Sequence, residues 1–173
     1  MTSIDKIAWF RLEGGRILST RSHGKDVHYI PGGKREPGES DVQTLVREIG
    51  EELTVAIVAD SAVHVGTFAA QAHGHAAGTT VRMTCYTADY QGTLTPSSEV
   101  EEVVRLTCAD RGRVSPVDRL VFDHLHRSGR LRQGRTRQNR GYRFESAREG
   151  RGPRSGNRRP GGAPLRRASR GVR

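Results

Sequence analysis

The sequence predicts an α/β body over residues 1–131, with strands interleaved between two helices, followed by a disordered tail over residues 132–173. Three observations carry this reading. Strand-like apolar runs alternate with two amphipathic stretches of helical period. Each amphipathic stretch has the start and stop signals of a helix. Beyond Leu131 the hydrophobic period ends and the composition turns to Arg, Gly, Ser and Pro, which cannot bury enough apolar surface to offset chain entropy.

The elements follow in order. Residues Ile4–Ser22, IDKIAWFRLEGGRILSTRS, read as a hairpin turning at Gly14-Gly15. Ile7, Trp9 and Arg11 point to one face and Ala8, Phe10 and Leu12 to the other. Trp9 reads as core. Val27–Ile30 is a short strand ended by Pro31, with Tyr29 packing under the loop that follows. That loop is glycine-rich, Gly32 to Gly38. A helix is expected from about Ser40 to Leu53, with one stripe of Val42, Leu45, Val46, Ile49 and Leu53. Ser40 is its N-cap and Gln43 stands at the capping-box position. Two strand-like runs, Ser61–Gln71 and Thr80–Tyr90, flank a small polar loop, and Glu101–Thr107 is a further strand. The second helix begins with Ser115, Pro116 and Asp118 and stops at Gly129.

Charge divides the chain. Of 29 basic and 19 acidic residues, 14 arginines and two glutamates lie in residues 132–173. The body therefore holds 15 basic and 17 acidic residues, a net of −2, and the overall +10 belongs to the tail. A basic tail suits non-specific contact with nucleic-acid phosphates. It is equally a solvated extension, or the product of a shifted reading frame in GC-rich DNA. Cys85 and Cys108 have neither zinc spacing nor a disulfide framework and read as small buried apolar residues. With no signal-like or membrane-spanning apolar run, a reduced, cytoplasmic protein is expected.

The informative stretch is Pro31–Val55, PGGKREPGESDVQTLVREIGEELTV. At 100° per residue, Glu48, Glu51 and Glu52 share one face of the first helix, away from its apolar stripe. Like charges at this spacing repel unless a cation resolves them. Carboxylates without His or Cys suit a hard cation, Mg2+ or Mn2+. Gly32 and Gly33 permit close backbone approach, and Lys34 offers a cation for phosphate. His73 and His75 lie in a small-residue loop without a third ligand and are not read as a metal pair.

This stretch resembles the box of the Nudix, or MutT-like, hydrolase family, G-x5-E-x7-R-E-U-x-E-E-x-G-U with U aliphatic. Gly33, Glu39, Arg47, Glu48, Ile49, Glu51, Glu52 and Val55 match, eight of nine fixed positions. Thr54 departs from the family's glycine, so the helix exit is expected to be built differently. The resemblance implies a Nudix domain over residues 1–131, a mixed β-sheet sandwiched between helices. It implies that Glu48, Glu51, Glu52 and the Gly32 carbonyl ligate metal, that Lys34 contacts phosphates, and that Arg47 and Glu39 brace the site. The general base is either a box glutamate or one of Glu99, Glu101 and Glu102. Arg21 reads equally as a diphosphate contact and as a surface arginine. The implied activity is hydrolysis of a phosphoanhydride bond in a nucleoside triphosphate, with a nucleoside diphosphate-sugar or ADP-ribose as the alternative. A different class of reading is a nucleic-acid-binding protein working through its tail.

Overall fold

The computed structural model describes residues 2–134. The expected tail lies outside the described residues, apart from 132–134. The elements run β1 (Thr2–Trp9), β2 (Leu12–Glu13), β3 (Arg16–Ser22), α1 (Asp41–Leu53), β4 (Ala56–Ile57), β5 (Val63–Gln71), β6 (Thr79–Thr87), β7 (Tyr90–Gln91), β8 (Val100–Leu106) and α2 (Pro116–Arg127). They form three small sheets, ordered β1-β6-β5, β2-β3-β8 and β4-β7. β1 pairs with β6 in parallel and the other pairs are antiparallel, so the architecture is the expected mixed α/β.

The alternation in β1 explains the layering. Ile7 and Trp9 are buried with Leu45, Ile49 and Leu53 of α1. Ala8 and Phe10 are buried with Val117, Val121, Phe122 and Leu125 of α2. β3 divides in the same way, with Leu18 in the first cluster and Ile17 in the second. The strands are thus covered by a helix on each side. A strand apolar on both faces is covered on both faces, as parallel-paired strands commonly are. The expected long hairpin is accordingly confined to Leu12–Glu13 against Arg16–Ile17, while β1 crosses to β6.

The other edge of β1 is met by the glycine-rich loop. Ile7 N donates to Gly33 O at 2.9 Å and Trp9 N to Pro31 O at 2.8 Å. Val27–Ile30, expected as a strand, makes only the isolated bridges Thr20↔Tyr29 and His28↔Val114. Pro31, without an N–H, ends that pairing.

α1 begins at the expected capping box. Gln43 N donates to Ser40 Oγ at 3.2 Å and Ser40 N to Gln43 Oε1 at 2.8 Å. Leu45, Ile49 and Leu53 are fully buried, whereas Val46 is 37% exposed, so the stripe is narrower than its sequence pattern. Three such burials contribute roughly 1.5–3 kcal/mol each. Repulsion between like charges on a helix costs only about 0.2–0.5 kcal/mol per pair, so the acidic face is tolerated.

The exit of α1 overturns the expectation for Thr54. The chain leaves in the left-handed conformation, φ 56°, the conformation in which glycine is favoured, with threonine occupying it. Thr54 N donates to Gly50 O at 3.1 Å, and its hydroxyl to Leu53 O at 2.8 Å and Thr95 O at 3.3 Å. These bonds offset a steric cost of about 1–2 kcal/mol for an L-residue.

At the other end of the body the pairing continues past Leu131. Arg132 N donates to Gly15 O, Cys108 N to Arg132 O and Ala109 N to Gln133 O, each at 2.8 Å. At about 1 kcal/mol net per bond, their loss is visible in a melting curve. Residues 1–134 should fold with the thermal midpoint of the full chain. Residues 1–131 should melt several degrees lower. Equal midpoints for the two truncated proteins would show that these bonds add nothing.

Candidate active site

The site begins with a close approach between the glycine-rich loop and α1. Gly32 has φ 128°, and a Cβ there would overlap the carbonyl of Ile7. A Cβ on Gly33 would overlap the carboxylate of Glu48. Gly32 N donates to Glu52 Oε2 at 2.9 Å, tying loop to helix through a side chain only 8% exposed.

Arg47 holds the same junction from the outer side. Its Nε donates to Glu39 Oε1 at 2.7 Å and its Nη2 to Glu39 Oε2 at 2.9 Å, a two-pronged pair. Nη1 donates to Glu48 Oε1 at 2.8 Å, and Nη2 also reaches Lys34 O at 3.1 Å. Thr44 Oγ1 donates to Glu39 at 2.7 Å. The Arg47 guanidinium holds the Glu39 carboxyl down at about 2, and Glu39 in turn raises Arg47.

A cavity of about 540 Å3 opens beside this junction. Gly32, Gly33, Lys34, Glu48, Glu51, Glu52 and Glu99 line it. Tyr29, read from the sequence as packing beneath the loop, and both His73 and His75 also line it. His73 pairs with Asp26 at 2.9 Å and meets the Tyr29 ring edge-on. Arg21 and Glu102 do not line the cavity. They are drawn to each other at 3.0 Å, with Arg21 also on Glu101 at 2.9 Å and His28 on Glu102 at 3.1 Å. Arg21 and then His28 hold the Glu102 carboxyl below its usual range. Trp9 is core, donating to Ala88 O at 3.2 Å. Cys85 is buried, and burial pushes its thiol up to about 12; Cys108 is partly buried.

Among the described residues, no three His, Cys, Asp or Glu side chains converge as they stand to hold a metal. Glu48 is turned onto Arg47, and Glu51 is exposed with Arg47 3.7 Å away. The donor chemistry nevertheless fits a hard divalent cation. Three carboxylates share one helix face beside a backbone that approaches to within a glycine's width. Burial pushes the Glu52 carboxyl up to about 7, with Glu48 and Glu99 adding to the rise and Lys6 and the Gly32 N–H opposing it. Such crowding is what a cation relieves.

Among the cavity residues to which sequence reasoning gave no site role are Lys6 and Asp118. Asp118 is 1% exposed and accepts from Ser115 Oγ at 2.6 Å and from Ile30 N at 3.4 Å. In the sequence it passes for an acid in the first turn of a helix. Lys6 donates to Ile30 O at 3.1 Å. Its signal was a lysine between Ile4 and Ala8 on the strand face that Phe10 continues.

Two outcomes follow. Gly33→Ala should displace Glu48 from its place against Arg47 and lower catalytic turnover at least a hundredfold, with the protein still folded by circular dichroism. Near-normal turnover would show that the close approach is dispensable. Asp118→Asn keeps the acceptor for Ile30 N and removes a charge. Burial raises the Asp118 carboxyl from 3.8 to about 6. The folded state therefore holds the proton more tightly, and stability from this group is lost as pH rises from about 4 through 6. The variant's thermal midpoint should exceed that of the parent by a margin that is larger at pH 8 than at pH 5. A margin independent of pH would show that Asp118 carries no buried charge.

Comparison with known proteins agrees with this geometry. The family model described as NUDIX domain matches residues 6–125. No curated protein matches the chain. The solution structure of the E. coli ORF135 protein is similar at 25% identity and TM-score 0.59, covering 74% of this chain and 94% of that one. The MutT protein from Methanosarcina mazei Go1 gives 20% identity and TM-score 0.59, covering 74% and 96%. A structure titled UDP-X diphosphatase gives 15% identity and TM-score 0.52, covering 77% and 66%. The last two likenesses are likenesses of fold. With the family match spanning most of the chain, over the same residues that build the loop, the acidic helix and the cavity, the protein belongs to the Nudix family and is a Nudix hydrolase.

Proposed function

We propose that the protein cleaves a phosphoanhydride bond of a nucleoside triphosphate, with water attacking phosphorus and Mg2+ or Mn2+ bound at Glu48, Glu51, Glu52 and the Gly32 carbonyl. The observation that carries this reading is the junction itself. A loop free of side-chain bulk lies against a face of carboxylates, with Lys34 on the same cavity wall. When bound, the metal neutralises phosphate charge and lowers the pKa of water. The chain's own residues do the rest. Lys34 meets the phosphates as a point charge. Arg47 fixes Glu48 and, through Glu39 and Lys34 O, the loop. Glu99 is the favoured general base, because it lines the cavity, whereas Glu102 is occupied by Arg21 and His28. Nucleoside diphosphate-sugars and ADP-ribose belong in the same substrate panel, since the structure titled UDP-X diphosphatase shares the fold.

A nucleotide panel with Mg2+ and Mn2+, read as released phosphate or pyrophosphate, tests the reading. Glu52→Gln should lower turnover at least a hundredfold and weaken Mn2+ binding. Lys34→Ala should lower turnover tenfold or more while Mn2+ binding to the free protein is unchanged. Normal turnover in Glu52→Gln at saturating Mg2+ would sink the metal assignment. Loss of Mn2+ binding in Lys34→Ala would sink the phosphate role.

A further inference from the structure

Arg35 stands at one of the five positions that the Nudix box leaves open between Gly33 and Glu39. Its Nε donates to Asp5 Oδ2 of β1 at 3.0 Å. Its Nη1 donates to Asp41 Oδ1 in the first turn of α1, and more distantly to Glu39 O at 3.5 Å. Tyr86 of β6 donates its hydroxyl to the other oxygen of Asp41 at 2.7 Å. Burial works against the charge on Asp41, yet the Tyr86 hydroxyl and the Arg35 guanidinium hold its carboxyl below the ordinary value. Arg82 of β6 adds a looser contact to Asp5 at 3.5 Å. One side chain thus ties the loop to β1 and α1, and through Asp41 to β6. Arg35, Asp5, Asp41 and Tyr86 all lie off the cavity wall.

The register of the loop against β1 shows what these bonds hold. Lys6 and Lys34 face each other in an antiparallel bridge, flanked by Ile7 N on Gly33 O at 2.9 Å and Arg35 N on Asp5 O at 3.4 Å. In a pair flanked by its hydrogen bonds the side chains come closest together. Asp5 stands opposite Arg35 in the same register. Neighbouring residues of an extended chain point to opposite faces. Lys6 and Lys34 therefore share one face, and both line the cavity. Asp5 and Arg35 share the other face, towards α1. Two lysines directly opposite repel each other, whereas Asp5 with Arg35 is an attractive pair. The attraction on one face keeps a repelling pair together on the other.

We infer that Arg35, through Asp5 and Asp41, is a positioning residue for Lys34. It fixes the loop so that the Lys34 ammonium stays in the cavity, against the repulsion of Lys6, where a bound diphosphate needs it. This rests on the reading of Lys34 as the phosphate contact. Arg35 lies off the cavity wall, so it acts through its neighbour. Arg47 grips Lys34 by its carbonyl at 3.1 Å. The rotation of the loop about that point is set by Arg35, on the next residue. Such rotation matters because a cation stabilises a reacting phosphate only in the right geometry. A lysine at position 35 would keep the charge without the planar fork that spans Asp5 and Asp41.

The test is a double-mutant cycle on Arg35→Met and Lys34→Ala in the full chain, each protein verified as folded by circular dichroism. Pyrophosphate affinity in the presence of Mg2+ is measured by calorimetry, with nucleoside triphosphate turnover alongside. Arg35→Met should weaken pyrophosphate binding at least fivefold in the parent and less than twofold in Lys34→Ala, with Mn2+ binding to the free protein unchanged. Arg35→Lys should match Arg35→Met within twofold. If Arg35→Met does not fold, Tyr86→Phe takes its place, since it deletes only the hydroxyl on Asp41. It should cost at least twofold in the parent and nothing in Lys34→Ala. Equal losses in the two backgrounds, no loss in the parent, a fall in Mn2+ binding, or full recovery in Arg35→Lys overturns the positioning role alone. A parent that does not bind pyrophosphate, or a Lys34→Ala variant that binds it as well as the parent, overturns the phosphate role of Lys34 and this inference together. Non-additive, Lys34-dependent binding without triphosphate turnover sinks the hydrolytic reading and supports the positioning role.

Discussion

Everything at this site depends on how closely a backbone comes to a helix. A Cβ at Gly32 would overlap the backbone carbonyl of Ile7, and one at Gly33 would have to displace the carboxylate of Glu48. Backbone contact on one side, through Ile7 N to Gly33 O, and the Arg47 guanidinium on the other make loop, β1 and α1 a single rigid assembly. Its rigidity matters because the carboxylates are useful only at fixed distances from a bound phosphate. The bonds of Arg47 to Glu39, Glu48 and the Lys34 carbonyl connect three segments through one side chain. A lysine could not replace it, having no planar fork.

The interior of the body tolerates what the cavity demands. Two carboxyls, Glu52 and Asp118, are buried where solvation would favour exposure, and both are pushed above their ordinary values by that burial. Lys6 opposes the shift in each. Two apolar clusters, one under each helix, supply the stability against which these groups are set. Among the described residues these are the carboxyls that burial raises, and both line one cavity, whereas the acids held below their ordinary values, such as Glu39 and Glu102, are paired with arginine outside it.

Legibility in the sequence followed range. α1, its capping box, the loop glycines and α2 were readable because each is determined by residues within a few positions. β1 carried its message in plain alternation, yet the alternation says only that both faces are buried and not which strand lies alongside. Its partner β6 is far along the chain, so a local turn at Gly14-Gly15 suggested a hairpin instead. Thr54 was misjudged because a steric preference of a kilocalorie or two was weighed without the hydroxyl bonds that oppose it. Glu99 and Glu102 are indistinguishable as letters. Only the pairing of Glu102 with Arg21 across β3 and β8 separates them. Lys6 and Asp118 come together through Ile30, a residue remote from both in sequence, and no spacing rule reports such a meeting.

The parallel pairing of β1 with β6 also orders events in time. Thr2 is matched with Thr79 and Trp9 with Tyr86, so the first strand has no sheet partner until nearly half of the chain has been made. Contacts of such long range are slow to close, because loop entropy is lost before the pairing repays it. α1 and the β5–β6 hairpin, being local, can form first and offer β1 an edge. The backbone bond from Ile7 to Gly33 and the contact of Lys6 with Ile30 lie on the other edge of β1 and span fewer than thirty residues. The cavity, walled by Lys6 of β1 and Met83 of β6, is therefore complete only once that long-range pairing is made, whereas the acidic helix needs only its own residues to form.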